Sequence, residues 1–437
     1  MEKQLRVPIM HNILKTIFIR FKSSRLGGLL KKSLVLSLRH LTRPFFIGKP
    51  YHGPFERHVL SRQGHSIFFG YHDKTPVSMD GTKLLAMSVE ADGISANLEC
   101  RPAEVGYYLK GSGSAFHNTF VPCGVTTTWC WQQGCMLQWN PQNPSEEVIY
   151  NCLVNNQYGS TIRNINTNQR IIDFSRPVYS VSSTGNRAVS LNFSRLGRLR
   201  PGYGYSALAD TSAGQPAPSD DGMYLMDLST GKSELLISLQ RLATEVHCDA
   251  DSQHYINHAT FSPDGNSLAF FHLWHGNNGR QHRFCAINIH TGKLSVLESL
   301  LTVSHYCWKG PQEILATALD ASGNWNYFHY NLATESRESA RLPLKGDGHP
   351  MFCPSNPDII ISDTYPDLKR DQHLFIANLK TKEAWDLAAF FSPSKYSGQI
   401  RCDLHPRWSP QGDAVIVDFI SFNQRKIGVF SIKSHVS

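Results

Sequence analysis

No stretch of the 437-residue chain reaches about 18 consecutive apolar residues, the least a membrane-spanning helix needs. Cysteines at metal-ligand or disulfide-framework spacing are missing too: Cys100, Cys123, Cys130, Cys135, Cys152, Cys248, Cys285, Cys307, Cys353 and Cys402 are scattered. Several stand in apolar strand-like contexts, where a free thiol packs as a small hydrophobe. A clean cleavable signal is also lacking, because basic residues keep interrupting the N-terminal apolar stretch. These absences predict reduced thiols and a cytoplasmic protein. The chain has no Gly-rich phosphate loop, no dinucleotide fingerprint and no nucleophile elbow, which argues against nucleotide-driven and serine-hydrolase chemistry.

Acid is scarce in one place. Of the 43 Lys and Arg residues, ten fall within residues 1–43, where Glu2 is the one acid; the remaining 33 bases face 34 acids. The basicity therefore belongs to an arm, residues 1–50, and the near-neutral body gives no support to nucleic-acid binding. The arm alternates apolar and basic residues at roughly helical spacing, so residues 1–43 can lie on an anionic membrane surface as a peripheral contact.

What the chain does have is a repeat. From residue 256, "INHATFSPDG", "NSLAFFHLWH", "HRFCAINIHTG" and "KLSVLES" are short, rich in β-branched and aromatic residues, and bounded by turn residues. Four strands in one such unit make a propeller blade. The same grammar returns after 303, after 349 and after 405, and earlier near 75, 135 and 178, giving seven units. The last unit is one strand short, and "ERHVLS" near residue 56 can supply it. The expectation is an all-β, seven-bladed propeller over residues 51–437. Residues 195–221 interrupt the third unit; their Arg- and Tyr-rich first half reads as a ligand loop and their Ala/Ser/Pro half as a flexible rim.

His258, His305, His349 and His405 each precede a large apolar residue and a turn, at spacings of 47, 44 and 56 residues. The first strand of each blade lines the central channel, so these imidazoles can converge on its axis. A cluster of neutral imidazoles is what a divalent ion such as Zn or Mn requires. "DTYPD" at 363–367 offers two carboxylates but reads as an acidic turn between strands.

The "H-x-x-F-S-P-D-G" phase, the histidines on adjacent blades and "YHDKTPVSMDG" on the first blade resemble propeller polysaccharide lyases. The similar groups are the oligogalacturonate lyases and the seven-bladed ulvan lyases. The first resemblance implies a divalent metal held by His residues from neighbouring blades together with a Gln. The second implies a Tyr and an Arg acting with histidines, beside a structural zinc; Tyr179 and Arg195 match that pair. Gln132 and Gln133 stand where the ulvan-type catalytic histidines would fall, and His117 is off phase.

Both resemblances imply β-elimination on uronic-acid oligo- or polysaccharides. Arg195 would hold the substrate carboxylate, with Arg198 and Arg200 as rivals, since guanidinium binds it bidentately. Tyr179 and His72 would be the acid and base, and Asp73 would orient His72 or a ligand. A non-catalytic scaffold or carbohydrate-binding propeller in cell-surface polysaccharide assembly is the alternative. A hydrolase fits less well, since it needs a carboxylate pair across the substrate.

Overall fold

The computed structural model describes residues 56–432, apart from 91–93, 96–97, 100, 114, 277–278 and 345. The basic arm and its expected membrane contact lie outside the described residues. No helix among the described residues is long and apolar enough to cross a membrane.

The strands, β1 to β28 in chain order, form seven four-stranded sheets. Six are consecutive meanders: β2–β5 (65–126), β6–β9 (138–174), β10–β13 (180–238), β14–β17 (253–298), β18–β21 (303–339) and β22–β25 (351–391). The seventh, β26–β28 (407–431), is completed by β1 (Glu56–Leu60), which pairs antiparallel with β28 from Glu56↔Ser431 to Leu60↔Ile427. The first and last described strands thus close the ring, as the "ERHVLS" stretch predicts.

Blades stack face to face, so their central strands are buried on both sides and read as continuous apolar runs rather than alternations. β3 (Lys83–Glu90, KLLAMSVE) and β27 (Ala414–Ser421, AVIVDFIS) both show this. The recurring Ser-x-x-Gly turn is local chemistry. Gly81, Gly185, Gly265 and Gly412 each donate N–H to the carbonyl three residues back, and each has φ of 71–72°. Glycine adopts that left-handed conformation without strain, which suits the motif to its return in the first, third, fourth and seventh blades.

The insertion of the third blade differs from expectation. It opens with a helix, α1 (Phe193–Leu199), capped by the Asn192 side chain. Its Ala/Ser/Pro half is tied down, with Ser212 and Pro216 carbonyls accepting from Arg195.

Candidate metal centre in the propeller channel

The in-phase histidines meet. His258 lies within β14 (Gln253–Phe261) and His305 within β18 (Val303–Gly310). His349 and His405 stand just before β22 (Met351–Cys353) and β26 (Arg407–Trp408). His72, following β2 (His65–Phe68) on the first blade, joins them. The ring centroids of His349 and His405 are 4.5 Å apart, those of His305 and His349 3.9 Å, and those of His72 and His349 5.2 Å. Tyr71 sits among them, 4.6 Å from His258 and 4.9 Å from His405. His258 and His405 have φ of 55° and 44°, uncommon for residues with a side chain and held here by the surrounding bonds. Tyr179 accepts the His258 N–H at 3.0 Å, and Asp363 accepts that of His405 at 3.2 Å.

One nitrogen of each of three imidazoles is pinned. His349 Nδ1 donates to Asp363 at 2.8 Å, His305 Nδ1 to Asp347 at 3.0 Å, and His405 Nδ1 to the Gly70 carbonyl at 2.7 Å. Such bonds fix the tautomer and leave Nε2 as a lone pair, as behind metal-binding histidines. The Nε2 atoms of His349 and His405 are buried without any hydrogen-bond partner, and so is Nδ1 of His72. Orphaned buried lone pairs are costly, and a cation resolves the cost. One ligand atom each from His349, Asp403 and His405 lies within 4.8 Å of the others, all three residues buried. Two imidazoles and a carboxylate suit Mn or Zn.

Electrostatics agree. Burial drives His72, His258 and His405 well below their ordinary pKa, aided by neighbouring cationic groups, so they stay neutral. His305 is lowered by burial and by His349. His349 is the exception: burial pulls it down, but the Asp363, Asp403 and Asp347 carboxylates together outweigh that and raise it.

The other expected residues fall elsewhere. Both nitrogens of His258 face groups of the chain: Nε2 is 3.1 Å from the Asn257 amide, and Nδ1 is 3.4 Å from Tyr179 Oη and 3.4 Å from Gln133. The Tyr179 hydroxyl accepts from Gln133 at 2.5 Å and donates to Asn257 at 3.0 Å, and burial pushes its pKa well up. Arg195 is turned into the protein. Its guanidinium donates to the His254 carbonyl at 2.6 Å, to Ser212 O at 3.1 Å and to Pro216 O at 2.5 Å. The expected Tyr179–Arg195 pairing is therefore not built, since each side chain is spent on different partners. Arg198 is exposed and bonded to Asp210 at 2.9 Å and Gln253 at 3.0 Å. Asp73 pairs with Lys74 at 2.7 Å, and its Oδ1 is buried without a partner.

Arg200 does reach a cluster, lying 4.1 Å over the Tyr203 ring with its Nε buried and unpartnered. Arg401 donates to the Tyr203 hydroxyl and pairs with Asp403 at 2.7 Å. Burial pushes the Tyr203 hydroxyl up, but the Arg401 and Arg200 guanidiniums together outweigh it and hold the phenol below its ordinary value. Tyr203 is 5.5 Å from His258, and Tyr365 is 5.8 Å from His349, so these groups border the histidines.

Asp347, Asp403, Tyr203 and Arg401 were not singled out from the sequence, and Asp363 was read there as part of an acidic turn. Two signals existed: "DGH" at 347–349 and "DLH" at 403–405 repeat an Asp two residues before a channel histidine. The stretch "DTYPD" is more than the acidic turn it resembles, since its Asp363 and Tyr365 face the histidines.

No family model matches the chain, and no curated protein matches it in sequence. Solved structures do. The oligogalacturonate lyase from Vibrio parahaemolyticus superposes with a TM-score of 0.59 at 14% identity, covering 88% of this chain and 98% of its own. An oligogalacturonate lyase in complex with manganese gives 0.58 at 12% identity, with the same coverage. The fold is that of these seven-bladed propellers, and nothing favours the ulvan lyase type. At this identity the likeness speaks to fold alone.

Proposed function

We propose that the protein is a divalent-metal-dependent lyase that cleaves uronic-acid oligosaccharides by β-elimination. The observation that carries this reading is the set of orphaned nitrogens on His349 and His405 facing Asp403, each histidine anchored from behind. The likeness to oligogalacturonate lyases, one of them a manganese complex, supports it. In the proposal His349, His405 and Asp403 hold Mn or Zn. When bound, such an ion draws charge from the substrate carboxylate and makes the C5 proton acidic.

The chain supplies the rest. Arg200, with a donor left over, grips the carboxylate in the role first expected of Arg195. His305, oriented by Asp347, takes the C5 proton. Tyr203, between two guanidiniums, gives its proton to the leaving oxygen at C4. This replaces Tyr179, whose hydroxyl is engaged on three sides. Action in the cytoplasm, with residues 1–43 against an anionic membrane, belongs to the same reading and rests on the sequence.

The test is a panel of uronic-acid oligosaccharides, oligogalacturonates first, incubated with manganese-loaded protein. The expected result is growing ultraviolet absorbance from the unsaturated uronate product, abolished by chelator and by His349→Ala. No product from any member of the panel sinks the reading and leaves a carbohydrate-binding propeller in its place.

A further inference from the structure

A cavity of about 650 Å³ lies between the second and third blades, against the insertion, and none of the channel histidines lines it. Its polar lining is largely uncommitted. The side chains of Asn156, Gln157, Ser175, Ser194 and Thr211 make no hydrogen bond with the described residues. Asp221 stands beside them, its Oδ2 accepting from Asn192 at 2.7 Å and its Oδ1 from the Gly222 N–H at 2.8 Å. Each of those oxygens keeps a lone pair. Burial raises the Asp221 pKa despite both bonds, so a further donor would stabilise this carboxylate. Arg176 is the one cation of the lining and Asp221 the one anion, so their charges cancel. A phosphate or a nucleic acid finds no cationic cluster here. Amides, hydroxyls and one carboxylate over the apolar Pro177, Leu191 and Leu208 instead match a ring that carries hydroxyls on its edge and C–H groups on its face.

We infer that this cavity is a second carbohydrate site, which takes a neutral sugar residue of the same glycan whose uronate enters the channel. The inference takes its ligand class from the proposed function, but neither its metal nor its elimination chemistry. Two placements connect the sites. Ser175–Pro177 join β9 (Gln169–Phe174) to β10 (Ser180–Val181), the same kind of connection that carries His349 and His405 in later blades. Equivalent connections of a ring lie on one face, so the cavity and the mouth of the channel share a side. The helix α1 then joins them. Phe193 and Ser194 at its start line the cavity, while Arg200 follows its end and Tyr203 borders His258. Seven helical residues span about 10 Å, a gap that a short oligosaccharide bridges. The substrate this arrangement selects is a mixed glycan, with uronic and neutral residues in one chain, rather than a polymer of uronate alone.

The test is saturation-transfer NMR on the full chain with D-galactose, D-glucose, D-mannose, D-xylose and L-rhamnose as neutral probes, and D-galacturonate as the charged comparison. Ser194→Trp fills the cavity with an indole. Gln157→Ala combined with Thr211→Ala, both at exposed positions, serves where the tryptophan disturbs α1. The expected result is transfer to at least one neutral sugar in the wild type. Its affinity should fall roughly 10-fold in Ser194→Trp and several-fold in the double variant. Galacturonate binding and the melting temperature should stay at their wild-type values. No transfer to any neutral probe overturns the inference, as does equal transfer in wild type and folded variants. A neutral sugar held in the cavity with no elimination product from any uronate sinks the lyase reading and leaves the inference standing. Elimination product without neutral-sugar binding does the reverse.

Discussion

Asp363 shows how much of this centre is decided by single atoms. One of its oxygens accepts from both the backbone and Nδ1 of His349, at 2.9 and 2.8 Å, and the other accepts the N–H of His405. Asp363→Asn keeps the shape but weakens the hold on the His349 tautomer. The expected outcome is a 10–100-fold weaker metal affinity, with binding restored at high Mn(II), whereas His349→Ala abolishes it; chelator competition separates the two. Tyr203 carries a second prediction. Its phenol is held low by Arg401 and Arg200, while burial pushes Tyr71, Tyr179 and Tyr205 well up. In an ultraviolet pH titration Tyr203 should ionise before these, and Tyr203→Phe should remove that first step. Because the folded value lies below the unfolded value near 10, the phenolate's contribution to stability is complete above about pH 10. It is lost as pH falls through the folded value. Replacing Arg401 by Met should move the step upward; an unmoved step contradicts the assignment. At this scale the sequence was half legible. Histidines at one phase of a repeat announce a shared axis, but Asp363 reaches His349 from the next strand of its own blade while Asp347 reaches His305 from 42 residues further on, so no fixed spacing ties a histidine to the carboxylate that anchors it.

The insertion of the third blade is the element that brings Arg200 and Tyr203 to the histidines. Its presence could be read from the break in the repeat; its order could not, because small and polar residues look like a mobile rim until their backbone partners are known. Arg195 supplies much of that order. Buried at 1% exposure, it satisfies carbonyls of His254, Ser212 and Pro216 at once. Arg195→Ala leaves those carbonyls without their charged donor, a loss of about 1.5–3 kcal/mol for a bond of this type. Calorimetry should show that loss while metal content stays at the wild-type value; a variant that loses metal instead would make Arg195 part of the centre. Gly202 is the element's second fixed point. Its φ is +90°, and an added Cβ would stand 2.8 Å from the Cβ of Gln399 in the loop that carries Arg401. Gly202→Ala should therefore pry the insertion from that loop and raise KM for substrate more than it lowers the melting temperature. Steady-state kinetics on the substrate found in the panel would check it.

For the whole molecule the governing fact is closure. Seven repeated units are legible from strand composition and turn chemistry together, and the missing last strand is legible because an open sheet edge must be dealt with. The partner of that edge is far away in sequence and near only in the ring. β1 forms five registered pairs with β28 (Gln424–Ser431), and Leu60 is fully buried in a cluster with Ile67, Ile416 and Ile427. Ile67 belongs to the first blade and Ile416 to the seventh, so Leu60 packs across the seam while β1 supplies the seventh blade's outer strand. Deleting residues 1–60 removes both contributions and bares the backbone of β28. The two losses act through different physics. Lost burial of Leu60 and its neighbours lowers the melting temperature, since one buried leucine contributes about 1.5–3 kcal/mol. The bared edge pairs with other copies, so light scattering should rise with protein concentration. A shorter deletion, residues 1–55, leaves β1 in place and should show neither effect in the propeller. If the longer deletion melts and scatters like the shorter one, β1 is not what closes the ring, and the seam must be held by the channel contacts alone.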